Sequence, residues 1–296
     1  MNYFDPHIHM VSRTTDDYEN MNHAGIAGVI EPAFWQGEPR KHIGSFIDYF
    51  DTLLGWERFR ASQFGIHHFA TIGLNPKEGN NKPLAEEVLN LLPRYLLKPG
   101  VVAVGEIGYD DITEQEHYVL CRQLEMAKEF KLPVLIHTPH RDKIGGTIRT
   151  IEAIREVGLD ESMVVIDHLN ELTLPIVLET DCWRGHSIYP DTKMSEQRMV
   201  ALLKQYGTEK MIVNSAADWG KSDPLKVPKT GLAMEQAGFN KEQIETVLFN
   251  NPIDFFAQSG RISRQQVLTP IDIDQTQLYQ ESSTLRGQQP IVTAGK

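Results

Sequence analysis

The chain is poor in cysteine and has no long apolar run. Only Cys121 and Cys182 occur among its 296 residues, so a disulfide framework is not expected. No stretch approaches the ~18 consecutive apolar residues that a membrane-spanning helix needs. The first residues also lack the basic region and the apolar core of a secretory signal. We therefore expect a reduced, cytoplasmic protein with no membrane association.

Positive charge is scarce as well. The 29 lysines and arginines are outnumbered by 40 aspartates and glutamates, which gives a formal net charge of −11 at pH 7. An acidic surface repels an extended phosphate backbone, so a tight, non-specific nucleic-acid binder is disfavoured. A local phosphate site is compatible with this charge, and nucleic acid stays a weakly supported partner.

Eight short apolar segments alternate with longer stretches of helical periodicity. The predicted strands are 3–9, 28–33, 67–74, 101–107, 133–138, 163–168, 184–189 and 211–216. Several are apolar without alternation, which is typical of a parallel sheet that is covered on both faces. Eight such units predict an α/β fold with a single (β/α)8 TIM barrel. A doubly wound sheet is the competing fold, but no glycine-rich phosphate loop follows the first segment.

Two segments depart from this pattern. Residues 34–66 form a long, aromatic-rich connection, in which we predict one long helix that either covers part of the barrel mouth or packs as an ordinary outer helix. Residues 264–296 are dominated by Gln, Thr, Ser and Pro, which predicts a mobile or surface-wrapping tail. The predicted domains are a barrel over 1–263 and a polar C-terminal tail over 264–296.

Potential metal ligands follow five of the predicted strands. The chain opens with Asp5-Pro6-His7-Ile8-His9, and in a strand the two histidine side chains would point to one face. Barrel enzymes place their chemistry at the C-terminal ends of strands. The metal-binding groups at those ends are His7, His9, Glu106, His137, His168 and Asp218. One metal needs three or four ligands, so six groups fit two metals that share a bridging carboxylate.

The order of these motifs resembles that of the TatD-type metal-dependent hydrolases of the amidohydrolase superfamily. The opening segment resembles the family's D-x-H-x-H, and Gly105–Asp110 resembles its G-E-I-G-L-D. Leu132–His137 matches L-P-V-x-x-H, and Asn250–Phe256 resembles the closing N-x-x-x-x-F. The resemblance covers about residues 1–260.

This resemblance implies a role for each ligand. His7, His9 and Asp218 would hold one metal, and His137 and His168 the second. Glu106 would bridge the two, since the fourth strand has no lysine for the carboxylated-lysine bridge of other superfamily members. Asp218 and Glu106 would be the catalytic residues: Asp218 would orient the water and accept its proton, and Glu106 would set the spacing between the metals.

The chain departs from the family pattern after four strands. The family's G-x-H-P is Gly73–Pro76 here, its H-x-R is the longer His137–Arg141, its H-C-F is His168–Asn170, and its E-T-D is Asn214–Asp218. The metal ligands match, whereas the substrate-facing positions differ. The resemblance therefore implies the chemistry more than the DNase activity of relatives.

Four residues are candidates for binding substrate. Asn75 replaces the histidine of G-x-H-P, and His140 and Arg141 could grip a phosphate or carboxylate by charge-assisted hydrogen bonds. For His186, a contact with substrate or metal and a purely structural role are equally compatible with the sequence. The lysines Lys221, Lys226 and Lys229 could add positive charge or simply be solvated.

The predicted function is that of a hydrolase in which two metals activate a water molecule. Zinc suits the histidine-rich ligand set, and Mn, Fe, Co or Mg are alternatives. A phosphoester is the leading substrate class. An amide, lactone or other ester of a small molecule is the second, and a non-catalytic metal-binding barrel that acts as a partner protein is the third. The sequence leaves the oligomeric state open.

Overall fold

Eight parallel strands follow one another in sequence order round a single sheet. The computed structural model describes residues 1–272. Its strands are β1 (Tyr3–Asp5), β2 (Ile26–Pro32), β3 (His67–Ile72), β4 (Val101–Gly108), β5 (Val134–His137), β6 (Val164–Ile166), β7 (Trp183–Ser187) and β8 (Met211–Asn214). Ala216 N donates to His7 O (2.8 Å), and His9 N donates to Ala217 O (2.9 Å). These bonds bring the two ends of the sheet together, and the predicted TIM barrel is confirmed.

Helices alternate with the strands and cover the outside of the barrel. They are α1 (Thr15–His23), α2 (Ile43–Asp51), α3 (Arg58–Ser62), α4 (Pro76–Gly79), α5 (Lys82–Leu96), α6 (Glu114–Phe130), α7 (Lys143–Val157), α8 (Leu174–Leu178), α9 (Glu196–Tyr206), α10 (Lys226–Gln236), α11 (Lys241–Glu245), α12 (Asn251–Ala257) and α13 (Arg264–Leu268). Short 3-10 turns occur at Met10–Ser12 and Glu161–Met163, and π-helical turns at Thr52–Glu57 and Thr246–Asn250. Within the described residues, no helix combines the length and apolarity needed to cross a membrane.

Local sequence explains where several helices begin and end. Before α6, the Thr113 hydroxyl accepts a hydrogen bond from Glu116 N while the Glu116 carboxylate accepts one from Thr113 N, which is a capping box. Ser195 caps α9 by accepting a hydrogen bond from Arg198 N. Gly158 ends α7 with φ +65°, a left-handed conformation that glycine adopts at little cost.

The barrel interior changes from apolar to polar along each strand. Leu135, Val165 and Ile212 belong to one buried apolar cluster inside the barrel, on the N-terminal side of the polar residues. Two residues further on, where the side chain points to the same face, stand His137, Asp167 and Asn214, all buried. The strands therefore direct polar groups to their C-terminal ends.

The opposite end of the barrel is closed by residues 249–267. Phe249, Ile253, Phe255 and Phe256 pack on the interior apolar cluster. Arg261 Nη1 donates to Val101 O at the start of β4 (2.9 Å), so this segment covers the N-terminal ends of the strands. We call it the apolar plug and include in it Ile262 and Val267 of the same cluster.

The beginning of the predicted tail contributes to this plug. Residues 264–268 form α13, whose Val267 is buried, and Thr269 O accepts a hydrogen bond from His67 Nε2 (2.8 Å). Residues 273–296, the rest of the predicted tail, lie outside the described residues. The boundary at 263 stays a prediction, but the residues just beyond it do contact the barrel.

The first strand and the helix within 34–66 differ in detail from the predictions. The sequence predicts a first strand up to His9, but β1 ends at Asp5, because Pro6 lacks the N–H that would continue the ladder. The long helix predicted within 34–66 is observed as a run from Ile43 to Ser62 with a π-helical middle.

Candidate metal centre

An open cavity of about 200 Å³ lies at the C-terminal ends of the strands. All six predicted metal ligands line it: His7, His9, Glu106, His137, His168 and Asp218. Five of these side chains are buried, and Asp218 is half-buried. The structure thus brings the predicted set together at one point.

Glu106 lies at the centre of the cluster. Its Oε1 is 3.1 Å from His168 Nε2, 3.2 Å from His137 Nδ1 and 3.7 Å from His7 Nε2. The flanking glycines make this position possible. A Cβ on Gly105 would lie 2.8 Å from Leu135 O, and one on Gly108 would collide with His137 O. The G-E-I-G sequence therefore lets β4 approach β5 closely where the carboxylate enters the cavity.

His7 and His9 reach the cavity from a loop rather than from a strand. The Asp5 carboxylate accepts hydrogen bonds from His7 N and Ser215 N, both at 3.2 Å, and so shapes this loop. His7 Nδ1 donates to Asp167 Oδ2 at 2.6 Å. His7 Nε2 is left facing His9 Nε2 at 3.2 Å. A carboxylate behind a histidine is the usual support of a metal-binding imidazole.

His168 is oriented in a similar way from the other side. Its Nδ1 lies 2.7 Å from the Ser187 hydroxyl, which directs Nε2 toward Glu106. The residue has φ +62°, which is uncommon for a residue with a side chain and often marks a functional position. Its neighbour Asp167 is held by two hydrogen bonds from Asn214 Nδ2, each 3.0 Å long.

Asp218 faces the cluster from the segment after β8. The Tyr189 hydroxyl and Gly220 N both donate to its Oδ1, each at 2.8 Å. Because both hydrogen bonds fall on one oxygen, Oδ2 remains available to a ligand or a substrate.

The electrostatics of the cluster match the needs of a cation. Burial lowers the pKa of His9 to about 3 and the pKa of His168 well below its ordinary value. Burial alone would raise the pKa of Glu106, but the nearby histidines hold that pKa well below its usual range. Neutral imidazoles at His9 and His168 beside an ionised Glu106 are protonation states that a divalent metal requires. Burial alone would lower the pKa of His7, but Glu106 and Asp167 raise it, so His7 would release a proton when a metal binds.

Two buried ring nitrogens of the cluster bear on whether it fits a metal. His9 Nδ1 and His137 Nε2 are buried and have no hydrogen-bond partner within residues 1–272. Buried polar atoms are nearly always partnered, so such atoms suggest an ion or ligand. His7, Glu106 and His168 each offer a ligand atom within 4.8 Å of the others. The residues present therefore fit a divalent metal.

The predicted substrate-binding residues have separate outcomes. Asn75 and His140 line the cavity. Asn75 Nδ2 donates to Glu106 Oε2 at 3.0 Å, so it also holds the carboxylate in place. His186 is fully buried outside the lining of this cavity, and its Nδ1 donates to Arg184 O at 3.2 Å.

Arg141 does not reach the cavity, contrary to the expectation that it lies above the metals. Its side chain is 77% exposed and pairs with Asp111 at 3.0 Å. The loop after β5 turns outward beyond His140, because Asp142 caps α7 by accepting a hydrogen bond from Gly145 N.

Several residues of the site carry no clear signal in the sequence. Lys77 of α4 and Lys193 of the loop after β7 line the cavity, although lysine side chains are usually solvated. Phe34 and Trp35 line it as well, and Phe34 stacks between His9 and Trp219. Asp167 could have been found, because it directly precedes a predicted ligand at a strand end.

Comparison with known proteins agrees with this geometry. Residues 4–215 match the family model described as TatD related DNase. An uncharacterized metal-dependent hydrolase from Methanocaldococcus jannaschii is 31% identical over 255 residues, which is 85% of this chain and 98% of that protein. A 3'-5' ssDNA/RNA exonuclease TatD from Pantoea vagans is 34% identical over 74 residues, 23% of this chain and 28% of the relative.

A solved structure shares the whole barrel. The TatD-like protein from Archaeoglobus fulgidus superposes with a TM-score of 0.73 at 29% identity, over 86% of this chain and 99% of that one. The match with the family model and the metal-dependent relative each cover most of the chain. The chain belongs to the TatD-related family of metal-dependent hydrolases.

Proposed function

We propose that this protein hydrolyses phosphoesters with water activated at a two-metal centre. The observation that carries the proposal is the pairing of the ligand cluster with Lys77 and Lys193 in one cavity. Cationic side chains beside a metal centre suit a phosphoester. When the scissile bond of such a substrate lies at the metals, the phosphate still has negatively charged oxygens that a lysine can bind.

The ligands divide into two groups about Glu106. His7, His9 and Asp218 would hold one metal, His137 and His168 the other, and the Glu106 carboxylate would belong to both. When bound, such metals lower the pKa of water and polarise the ester that it attacks. Zinc is our first assignment because imidazole dominates the set, with Mn, Fe, Co or Mg as alternatives.

Asp218 is the proposed general base. Its Oδ1 is fixed by Tyr189 and Gly220, so the carboxylate cannot rotate freely. Its Oδ2 would accept the proton of the attacking water. Glu106, held at Oε2 by Asn75, would keep its other oxygen directed at the histidines.

Lys193 is the proposed anchor for the substrate's anionic oxygens. It is partly buried, and burial lowers the pKa of its ammonium group. Its Nζ forms no salt bridge with a carboxylate among residues 1–272, whereas Lys77 Nζ pairs with Asp110 at 2.9 Å. The Lys193 ammonium lies 4.7 Å from the centroid of the Tyr189 ring, and without a carboxylate partner its charge can bind an incoming anion.

The aromatic wall suggests what the phosphoester carries. Phe34 and Trp35 line the cavity together with its polar residues, and bases commonly stack on such rings. Together with the relative named as a ssDNA/RNA exonuclease, this favours a nucleotide-like phosphoester or a nucleic-acid end.

The same aromatic wall favours a second candidate function. A small ester, amide or lactone with an apolar group would also contact Phe34 and Trp35 without needing Lys193. A non-catalytic barrel is the least favoured reading, because a site freed from catalysis has no need of a complete and prepositioned ligand set.

The test compares charged and neutral substrates on the same metal-loaded enzyme. Protein stripped with a chelator and reloaded with Zn or Mn would be assayed with a phosphodiester, a phosphomonoester, a neutral ester and a lactone. We expect phosphoester hydrolysis, two metals per chain by elemental analysis, and loss of both activity and metal in Glu106→Gln.

Lys193→Met should raise KM for the phosphoester by about 10–100-fold, as expected for a lost charged hydrogen bond. KM for the neutral ester should be unchanged. Lys204→Met, on the exposed face of α9, and Arg141→Ala are the controls and should behave like the wild type. Preferred hydrolysis of the lactone, with no effect of Lys193→Met, would replace the proposal by the second candidate.

A further inference from the structure

A second group of potential metal ligands lies on the outside of the barrel, between α6 and α7. His117 and Cys121 are four residues apart on α6, so they share one face of that helix. Glu156 reaches them from the last turn of α7. Each of the three offers a ligand atom within 4.8 Å of the others.

The spacing of these atoms is that of ligands around one zinc ion. His117 Nε2 lies 3.7 Å from Cys121 Sγ and 3.3 Å from Glu156 Oε2. Tetrahedral zinc with ordinary Zn–N, Zn–S and Zn–O bonds separates N from S by about 3.6 Å and N from O by about 3.3 Å. No large movement of the side chains would be needed to bind the ion.

The imidazole is already oriented for this role. The Tyr109 hydroxyl and His117 Nδ1 are hydrogen-bonded at 2.7 Å, and the two rings are parallel, with centroids 6.3 Å apart. Tyr109 is fully buried, so it holds the ring from the barrel side and leaves Nε2 facing Cys121 and Glu156. A partner on the second nitrogen is the usual companion of a metal-bound histidine.

The surroundings leave room for the ion. The Glu156 side chain is 59% exposed and that of His117 is 14% exposed, so solvent can reach the site and supply a fourth ligand. The nearby guanidinium of Arg149 is paired with Glu152 at 3.3 Å.

We propose that His117, Cys121 and Glu156 form a second metal site, which takes Zn²⁺ with water as the fourth ligand and joins α6 to α7. The site is separate from the barrel mouth and does not depend on the proposed function. Because one position is open to solvent, the ion should exchange more readily than in a closed four-residue site.

Cobalt titration of the full chain tests this site independently of activity. Thiolate bound to Co²⁺ gives a charge-transfer band in the near ultraviolet, and none of the proposed ligands at the barrel mouth is a cysteine. Metal-free protein should develop the band with the amplitude of one cobalt–thiolate bond per chain, whichever site fills first, and added Zn²⁺ should abolish it. The band should persist in Glu106→Gln, in which the mouth is altered.

Variants assign the band to its ligands. Cys121→Ser should remove it, and Cys182→Ser, at a fully buried position elsewhere, should keep it. Glu156→Gln should weaken cobalt binding by about 100-fold or more, and Tyr109→Phe by about 10-fold, as typical losses for a ligand and for its hydrogen-bonding partner. Thermal melts without metal would show whether each variant is folded.

Three results would overturn the proposal. They are the absence of a thiolate band at cobalt concentrations that fill the barrel mouth, a band that survives in folded Cys121→Ser, and a band that is indifferent to Glu156→Gln.

Discussion

The two ends of this barrel use the same strands for opposite purposes. At the N-terminal ends, Leu135, Val165 and Ile212 pack on the apolar plug. At the C-terminal ends, His137 and Asp167 follow on the same faces and meet other buried polar groups, some of which have no partner in the described chain. One end is packed with apolar side chains, whereas the other collects buried polar groups whose chemistry fits a metal.

This difference separates stability from chemistry. Apolar burial at the plug gains free energy and needs nothing further. Buried imidazoles and carboxylates at the mouth cost free energy until a metal or substrate completes them. Mutations at the two ends should therefore have separable effects, as is usual in barrels of this type.

The largest effect is expected from Phe255→Ala. The ring is fully buried in the plug and packs edge-on against Trp183 and Phe256. Its removal should lower the free energy of unfolding by about 3–5 kcal/mol, measured by urea denaturation. Leu232→Ala, at a 53% exposed position, is the control. Loss of metal from the folded variant at low temperature would mean that the two ends are coupled.

Asp218→Asn should have the converse effect. The amide can still accept the hydrogen bond from Tyr189, but it cannot take a proton from water, so kcat should fall by at least ~10²-fold. The unfolding curve should be unchanged. Asp223→Asn is the matched control, because that carboxylate pairs with Lys229. Near-normal kcat in metal-loaded Asp218→Asn would remove Asp218 from the role of base.

Much of this contrast could be predicted from the sequence. Uninterrupted apolar segments define the eight strands, and a ligand at the end of a parallel strand must lie near the ligands of its neighbours. The strand order alone therefore predicts that the six ligands lie close together. The conformation of His7 and His9 could not be obtained in this way, since Asp5 accepts hydrogen bonds both from His7 N and from Ser215 N, which is distant in the sequence.

Loop residues were the least predictable. His140 and Arg141 are adjacent, yet one lines the cavity and the other pairs with Asp111 in solvent. The lysines after β8 were candidates for adding positive charge to the site, but Lys226 and Lys229 pair with acidic residues. Lys193, which was not a candidate, lines the cavity. Nothing in local composition distinguishes these outcomes, because the path of each loop is set by capping and tertiary contacts.

A buried histidine–carboxylate contact also occurs in a third region, away from the barrel mouth. His68 Nε2 lies 2.7 Å from Glu31 Oε2, and Glu31 Oε1 accepts a hydrogen bond from Val11 N. Burial raises the pKa of Glu31 to about 8 and lowers the pKa of His68 to about 4. Between a pH of about 4 and a pH of about 8, the folded pair therefore holds one titratable proton, whichever of the two side chains carries it.

This pair should make stability fall as the pH rises from 6.5 to about 8. Above its ordinary pKa of 6.5 the unfolded histidine is neutral and the unfolded glutamate is ionised, so only the folded state keeps the proton. The loss should be roughly 2 kcal/mol over this interval. Glu31→Gln should remove that pH dependence in denaturation curves. An unchanged slope in Glu31→Gln would show that other groups cause it.

The smallest effect is expected from ending the chain at Ser263. This truncation removes the buried side chain of Val267 from the plug and the hydrogen bond between His67 and Thr269 O. We expect a loss of about 1.5 kcal/mol of stability, the lower end for a fully buried valine, with metal content and kcat unchanged because no proposed ligand is lost. A chain that ends at Asp272 keeps both contacts and is the matched control, against which the loss is measured. If truncation at Ser263 instead abolished metal binding, the plug would support the mouth directly, and stability and chemistry would not be separable along these strands.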